Sequence, residues 1–153
     1  MVTNYNNESI SFIDLATRKV VKELDLRPRK NNSADSGVAG GEYPFWVSVK
    51  GNNTAYVSSA RDREVVVVDF TTVTAPKIVT RIEVAGNPLK TILDKTQSYL
   101  YVTEDNSDLV DIITTSNSVF PSWVISIPPA TPGKSPGKRA TALPTVWPLR
   151  TMV

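Results

Sequence analysis

Tyr56-Val57-Ser58-Ser59-Ala60-Arg61-Asp62-Arg63-Glu64-Val65-Val66-Val67-Val68-Asp69 decides how this chain is built, because its pattern occurs once before it and once after. The earlier copy runs from Val2-Thr3-Asn4 to Ile13-Asp14, and the later one from Val102-Thr103-Glu104 to Ile113-Thr114, with the same internal spacing in all three. Two short runs rich in β-branched residues around a polar turn predict a hairpin. Three such hairpins in one chain predict a repeat protein, each unit too thin to bury its own apolar face and so stacked on its neighbours.

Working outward, the chain reads as strands throughout. Residues 2–4, 9–14 and 19–26 form a first unit, separated by Asn4-Tyr5-Asn6-Asn7-Glu8 and Leu15-Ala16-Thr17-Arg18, polar stretches that favour turns. Ser9-Ile10-Ser11-Phe12-Ile13 alternates with period two, the mark of a half-buried strand. A polar segment containing Gly and Ser, residues 27–42, interrupts the pattern and reads as a long loop. Four strands follow at 45–49, 55–59, 65–69 and 77–84, and four more at 89–93, 99–103, 109–113 and 119–127. The spacing of 45 residues between Val57 and Val102 lies within the roughly 40 to 45 expected of four-stranded propeller blades. The spacing of 55 between Val2 and Val57 contains the long loop.

Composition excludes much chemistry. The 153 residues are 41% apolar and 21% charged, as in a globular domain, and no apolar run approaches the ~20 residues that span a bilayer. With no Cys and no His, the chain has no disulfide, no thiolate or imidazole metal ligand, and neither of two common catalytic groups. Residues 1–20 hold no basic segment followed by an apolar core. The net charge of +2 is uneven: Lys134, Lys138, Arg139 and Arg150 lie in residues 128–153, which contain no acid. A basic tail on slightly acidic repeats argues against a nucleic-acid footprint.

Tyr101-Val102-Thr103, Val2-Thr3-Asn4, Ile13-Asp14-Leu15-Ala16-Thr17-Arg18-Lys19-Val20-Val21 and Gly86-Asn87-Pro88 together resemble the bacterial YVTN-repeat β-propellers over residues 2 to about 127. Asp25-Leu26-Arg27-Pro28 and Gly40-Gly41-Glu42-Tyr43-Pro44-Phe45-Trp46 resemble more narrowly those propellers that precede a phosphoesterase-type domain, of which this chain contains no counterpart. The resemblance implies an all-β fold and a bacterial parent that is periplasmic or secreted. It implies no single activity, since such propellers include surface-layer modules, YncE-like periplasmic proteins and scaffolds.

The expected fold is therefore all-β, a partial β-propeller of about two and three-quarter four-stranded antiparallel blades, with units 1–26, 43–84 and 87–127 and an irregular tail 128–153. The chain begins inside the repeat motif, with Met1 where an aromatic residue would stand, so the expectation is a fragment. The ending Pro144-Thr145-Val146-Trp147-Pro148-Leu149-Arg150-Thr151-Met152-Val153 carries two prolines where a central strand tolerates none. Its codons, read in a shifted frame, can encode Asn-Ser-Leu-Ala-Leu-Thr-Asp-Asp-Gly, a strand and turn of the next blade. The tail is thus expected to be disordered or frameshifted.

No residue is assigned as catalytic, cofactor-binding or metal-binding, and no cofactor is expected. Asp14 and Asp69, which close equivalent strands, read as turn caps rather than as acid–base or metal carboxylates, with Thr114 making a weaker contact of that kind. Glu104, Asp105, Asp108 and Asp111 lack the spacing and the Gly of a calcium loop. Trp46, beside Tyr43 and Phe45, reads as core packing between blades, with a ligand mouth as the alternative. Arg61, Asp62 and Arg63 read as solvated turn charges rather than a polyanion site, and Gly40-Gly41 lacks the rest of a phosphate loop. The leading functional expectation is a non-enzymatic binding or scaffold module. Its ligand or protein partner meets the inter-strand loops, and copies self-associate through open blade edges. The alternative is the propeller portion of a larger enzyme, phosphoesterase-linked or lactonase-like.

Overall fold

Short strands joined by polar turns pair first with their sequence neighbours, and the computed structural model, which describes residues 1–115 and 124–127, is built in that way throughout. The strands are β1 Val2–Asn4, β2 Ser9–Asp14, β3 Lys19–Asp25, β4 Pro44–Lys50, β5 Thr54–Ser59, β6 Glu64–Asp69, β7 Lys77–Glu83, β8 Asn87–Leu93, β9 Tyr99–Asp105, β10 Val110–Thr114 and β11 Val124–Ile127. They form three antiparallel sheets, β1-β2-β3, β4-β5-β6-β7 and β8-β9-β10-β11. The fold is all-β. Among the described residues the sheets do not close into a ring.

The three hairpins of the repeat superimpose residue by residue. Val2 pairs with Ser11, Val57 with Val66 and Val102 with Asp111, nine residues apart each time. The turn inside each hairpin holds a non-glycine residue in the left-handed region at one matching position: Glu8 (φ 47°), Arg63 (φ 53°) and Asp108 (φ 52°). A β-bulge falls between Phe12 and Ile13 in the first sheet and between the matching Val67 and Val68 in the second. Thus β1 corresponds to β5 and β9, and among the described residues the first sheet has no strand in the place that β4 and β8 occupy in the others.

The sheets stack face to face in chain order. Ile10, Phe12, Leu24 and Leu26 of the first sheet and its exit pack against Ala55, Val57, Val66, Val68 and Phe70. The opposite face of the second sheet, with Tyr56, Val65, Val67 and Ile82, packs against Leu100, Val102 and Ile113 of the third. A strand covered on both faces needs no polar alternate, which is why Val65-Val66-Val67-Val68 is an unbroken apolar run. The approach is closest at β1, β4 and β8, so the stack converges along these strands. Hydroxyls at one repeat position bridge them: Thr3 donates to the Phe45 carbonyl at 3.3 Å and Ser58 to that of Leu89 at 2.7 Å. Pro44 and Pro88 stand at the start of β4 and β8, both edge strands, where a missing N–H leaves no ladder bond unmade.

Two expectations need correction. The segment 27–42 is not a featureless loop: it contains a helical turn α1, Pro28–Asn31, and a 3-10 turn, Ser33–Asp35. Pro28 supplies the backbone φ that suits a first helical position, and the Asn31 amide donates to the Asp25 and Arg27 carbonyls. Nor is β2 half-buried by alternation, since Ser9 and Ser11 are buried as well. Asn4 donates to both hydroxyls and Ser9 donates to Glu23, so a hydrogen-bonded polar layer lies on the face opposite the core. The strand expected over 119–127 is seen over Val124–Ile127; its earlier part, the 128–153 tail and the frameshift reading lie outside the described residues.

Candidate functional site

The convergence of β4 and β8 creates an open cleft of about 500 Å³. Trp46, Val49, Ile92 and Leu93 supply apolar walls, and Lys90 supplies the charge. Trp46 points out of its sheet and is 40% exposed, with the Lys90 ammonium 5.3 Å from its ring centroid. That corrects the expectation of Trp46 as a core residue between blades: β4 is an edge strand at the converging side of the stack, and Trp46 there lines an open cleft against β8 and not a closed core. Hydroxyls in the cleft are held by backbone. Ser48 donates to the Thr91 carbonyl at 2.9 Å, and Thr103 to that of Lys90 at 3.0 Å.

A second cluster lies at the end of the β9–β10 hairpin, where Asp111 is fully buried and Glu104 packs against it. Burial first, and then the hydrogen bond with Asp111, raise the Glu104 carboxyl to about 7. Ser107 donates to Glu104 Oε2 at 2.7 Å, Glu104 Oε1 is buried without a hydrogen-bond partner among the described residues, and the Ala85 N–H donates to Asp111 at 3.2 Å. Burial and the adjoining Asp111 side chain both favour the protonated form of Glu104. The folded pKa lies above the ordinary value of 4.5. This contribution to stability is therefore fully present below pH 4.5 and is lost as pH rises through 7. Urea melts at pH 5 and pH 8 are expected to show a loss of about 1–2 kcal/mol, reduced by the carboxyl's partial exposure, and Glu104→Gln is expected to flatten it.

Charged residues at the first turn build a clamp rather than a site. Glu64, 6% exposed at the start of β6, accepts from the Gly41 N–H at 2.7 Å and from Arg81 at 2.5 Å, and Arg81 also donates to the Leu26 carbonyl. Arg61 pairs with Glu42 at 2.7 Å and lies 5.7 Å from the Tyr43 ring, while Asp62 accepts from the Glu42 N–H at 2.8 Å. These charges fasten the returning segment 40–43 to the β5–β6 turn. Tyr43 stacks on Tyr5 at 5.0 Å, and Phe45 is exposed on β4.

Asp14 accepts from the Ala16 N–H at 2.8 Å and Asp69 from the Thr71 N–H at 2.8 Å, and these bonds hold both carboxyls below the usual range. Both are turn caps, as their positions imply. Asp94 plays the same part in the β8–β9 turn, held at about 2 by Thr96 and the N–H groups of Thr96, Ser98 and Tyr99. One residue beyond the third repeat position, Thr115 donates its hydroxyl to the Gln97 carbonyl at 2.7 Å, a tie to the β8–β9 turn and not a cap of the kind expected of Thr114. Glu104 and Asp111 are brought together, whereas Asp105 and Asp108 are not drawn into a cage: among the described residues no three metal-ligating side chains converge. Gly40 and Gly41 serve packing, not a phosphate. A Cβ on Gly41 (φ +73°) would strike the Leu26 carbonyl.

Lys90, Glu64 and Arg81 carry these features, and none announces itself in the sequence. The one available signal was Glu64, a charge leading directly into four consecutive valines.

No family model and no curated protein matches the chain. Among solved structures it is similar to a functionally unknown protein from Desulfotomaculum acetoxidans DSM 771, with a TM-score of 0.49 and 10% identity over 78% of this chain. The match covers 47% of that protein, so the chain spans about half its length.

Proposed function

We propose that this chain is a non-catalytic binding or scaffold module, a sector of a YVTN-type β-propeller whose contacts are made by its inter-strand loops and converging strands. The observation that carries the reading is the matched register of Val2, Val57 and Val102, each on the corresponding strand of a successive sheet. The approach of β4 to β8, the first strands of their four-stranded sheets, supports it, as does the equivalence of the β1–β4 contact to the β5–β8 contact, since stacked blades repeat the same neighbour contacts. Among the described residues no helix is long and apolar enough to cross a membrane.

A second reading, the propeller portion of a larger phosphoesterase-linked or lactonase-like enzyme, is favoured by the Glu104–Asp111 pair, because a carboxyl that titrates near neutrality suits general acid–base work. Incubating the full chain with p-nitrophenyl phosphate and with γ-butyrolactone separates the two. No turnover above buffer is expected. Turnover that Glu104→Gln removes would replace the scaffold reading with the enzymatic one. Small-angle scattering on the same samples is expected to give a radius of gyration of about 15 Å for a compact monomer, and a larger mass at higher concentration if open sheet edges associate.

A further inference from the structure

We propose that the cleft between β4 and β8 binds a small organic carboxylate with an apolar body, its carboxylate on the Lys90 ammonium and its body against Trp46, Ile92 and Leu93. The volume, about 500 Å³, is that of a small-molecule site. The walls are mostly apolar, with the hydroxyls of Ser48, Thr91 and Thr103 and a single cation, and Lys90 is already steered over the Trp46 ring at 5.3 Å. An ammonium beside an apolar surface offers an anion with an apolar body two complementary contacts at once.

Among the described residues no side-chain carboxylate pairs with Lys90, and the ion pairs join Arg27, Arg61 and Arg81 to acids. All 15 acidic residues lie within residues 1–115, and the remainder of the chain contains neither Asp nor Glu. No unassigned segment of this chain can therefore bring a side-chain carboxylate to the cleft. The nearby hydroxyls are engaged with backbone carbonyls or, for Thr91, with Ser48, so the donors left along the lining, the Trp46 indole N–H and Lys90, are too few to select a sugar or a nucleoside. What remains is one positive charge and an apolar bed, which matches an aromatic or medium-chain carboxylate.

The inference deepens the binding-module reading and can fail without it, since the module's loops are untouched by the test. Titration of the full chain with indole-3-acetate and with octanoate, followed by calorimetry and, for octanoate, by Trp fluorescence, is expected to give sub-millimolar dissociation constants. The uncharged partners indole and octanol are expected to bind at least tenfold more weakly. Lys90→Met should weaken the acids at least tenfold while leaving the neutral compounds unchanged, and Lys90→Arg should retain binding. Lys90 is exposed and its replacement is not expected to unfold the chain, which a thermal melt verifies. Neutral and acidic probes binding equally, Lys90→Met binding as wild type, or no heat at 10-fold higher probe concentration would each overturn the proposal.

Discussion

Replacing Arg81 by Met is expected to destabilise the folded chain by about 3–5 kcal/mol, because it removes one partner of a buried ion pair and leaves the other in place. Glu64 is 6% exposed and its pKa is raised by burial in spite of the attraction of Arg81. Without the guanidinium the carboxyl keeps the Gly41 N–H as a partner but loses its countercharge, and the Leu26 carbonyl loses a donor. The carboxyl then neutralises by taking up a proton, so its folded pKa rises further above the unfolded value. By linkage, the deficit of the variant should shrink as pH falls and be largest above neutrality. Denaturant unfolding of Arg81→Met at pH 5 and pH 8 checks both the size and the sign. Combining it with Glu64→Gln, which removes the charge but keeps the shape, is expected to restore part of the loss. A deficit below about 1 kcal/mol at pH 8 would show that the pair is solvated and that segment 26–41 is held by something else.

The clamp also shows where reading from sequence stops. Strand boundaries were legible to within a few residues because apolar runs and polar turns alternate with a fixed spacing. The matching of Val57 to Val102 followed from that spacing alone. The left-handed turn residues Glu8, Arg63 and Asp108 were not legible, since none is Gly or Asn and only their shared repeat position exposes them. Arg81 lies 17 residues after Glu64 and 55 after Leu26, and no local pattern ties three such positions together.

Trp46 failed for a different reason. An aromatic residue in a strand defaults to the core, but burial depends on what lies opposite, and β4 turned out to be an edge strand at the converging side. Its partner Lys90 sits in a separate sheet, 44 residues away. The turn caps Asp14 and Asp69 were legible because capping is a contact with the next two or three residues, which sequence contains in full.

Repetition makes one stringent comparison possible, because the same residue type occupies the same repeat position in sheets with different neighbours. Ile13 and Ile113 match one another, and Val68 stands at the equivalent place between them. Ile113 is fully buried against the second sheet, whereas Ile13 is 36% exposed on the outer face of the first. Ile113→Ala is therefore expected to cost about 2–5 kcal/mol, the range for emptying a packed aliphatic site. Ile13→Ala is expected to cost clearly less, about 1 kcal/mol, since 36% of Ile13 is already in water and no fully packed site is emptied. Urea melts of the two variants at low protein concentration measure the difference directly. If stacking rather than intrinsic strand preference holds each sheet, the covered isoleucine should matter more. Equal losses at both positions would mean that the outer face of the first sheet is covered in solution, and repeating the Ile13→Ala melt across a hundredfold range of concentration would show whether a second copy covers it.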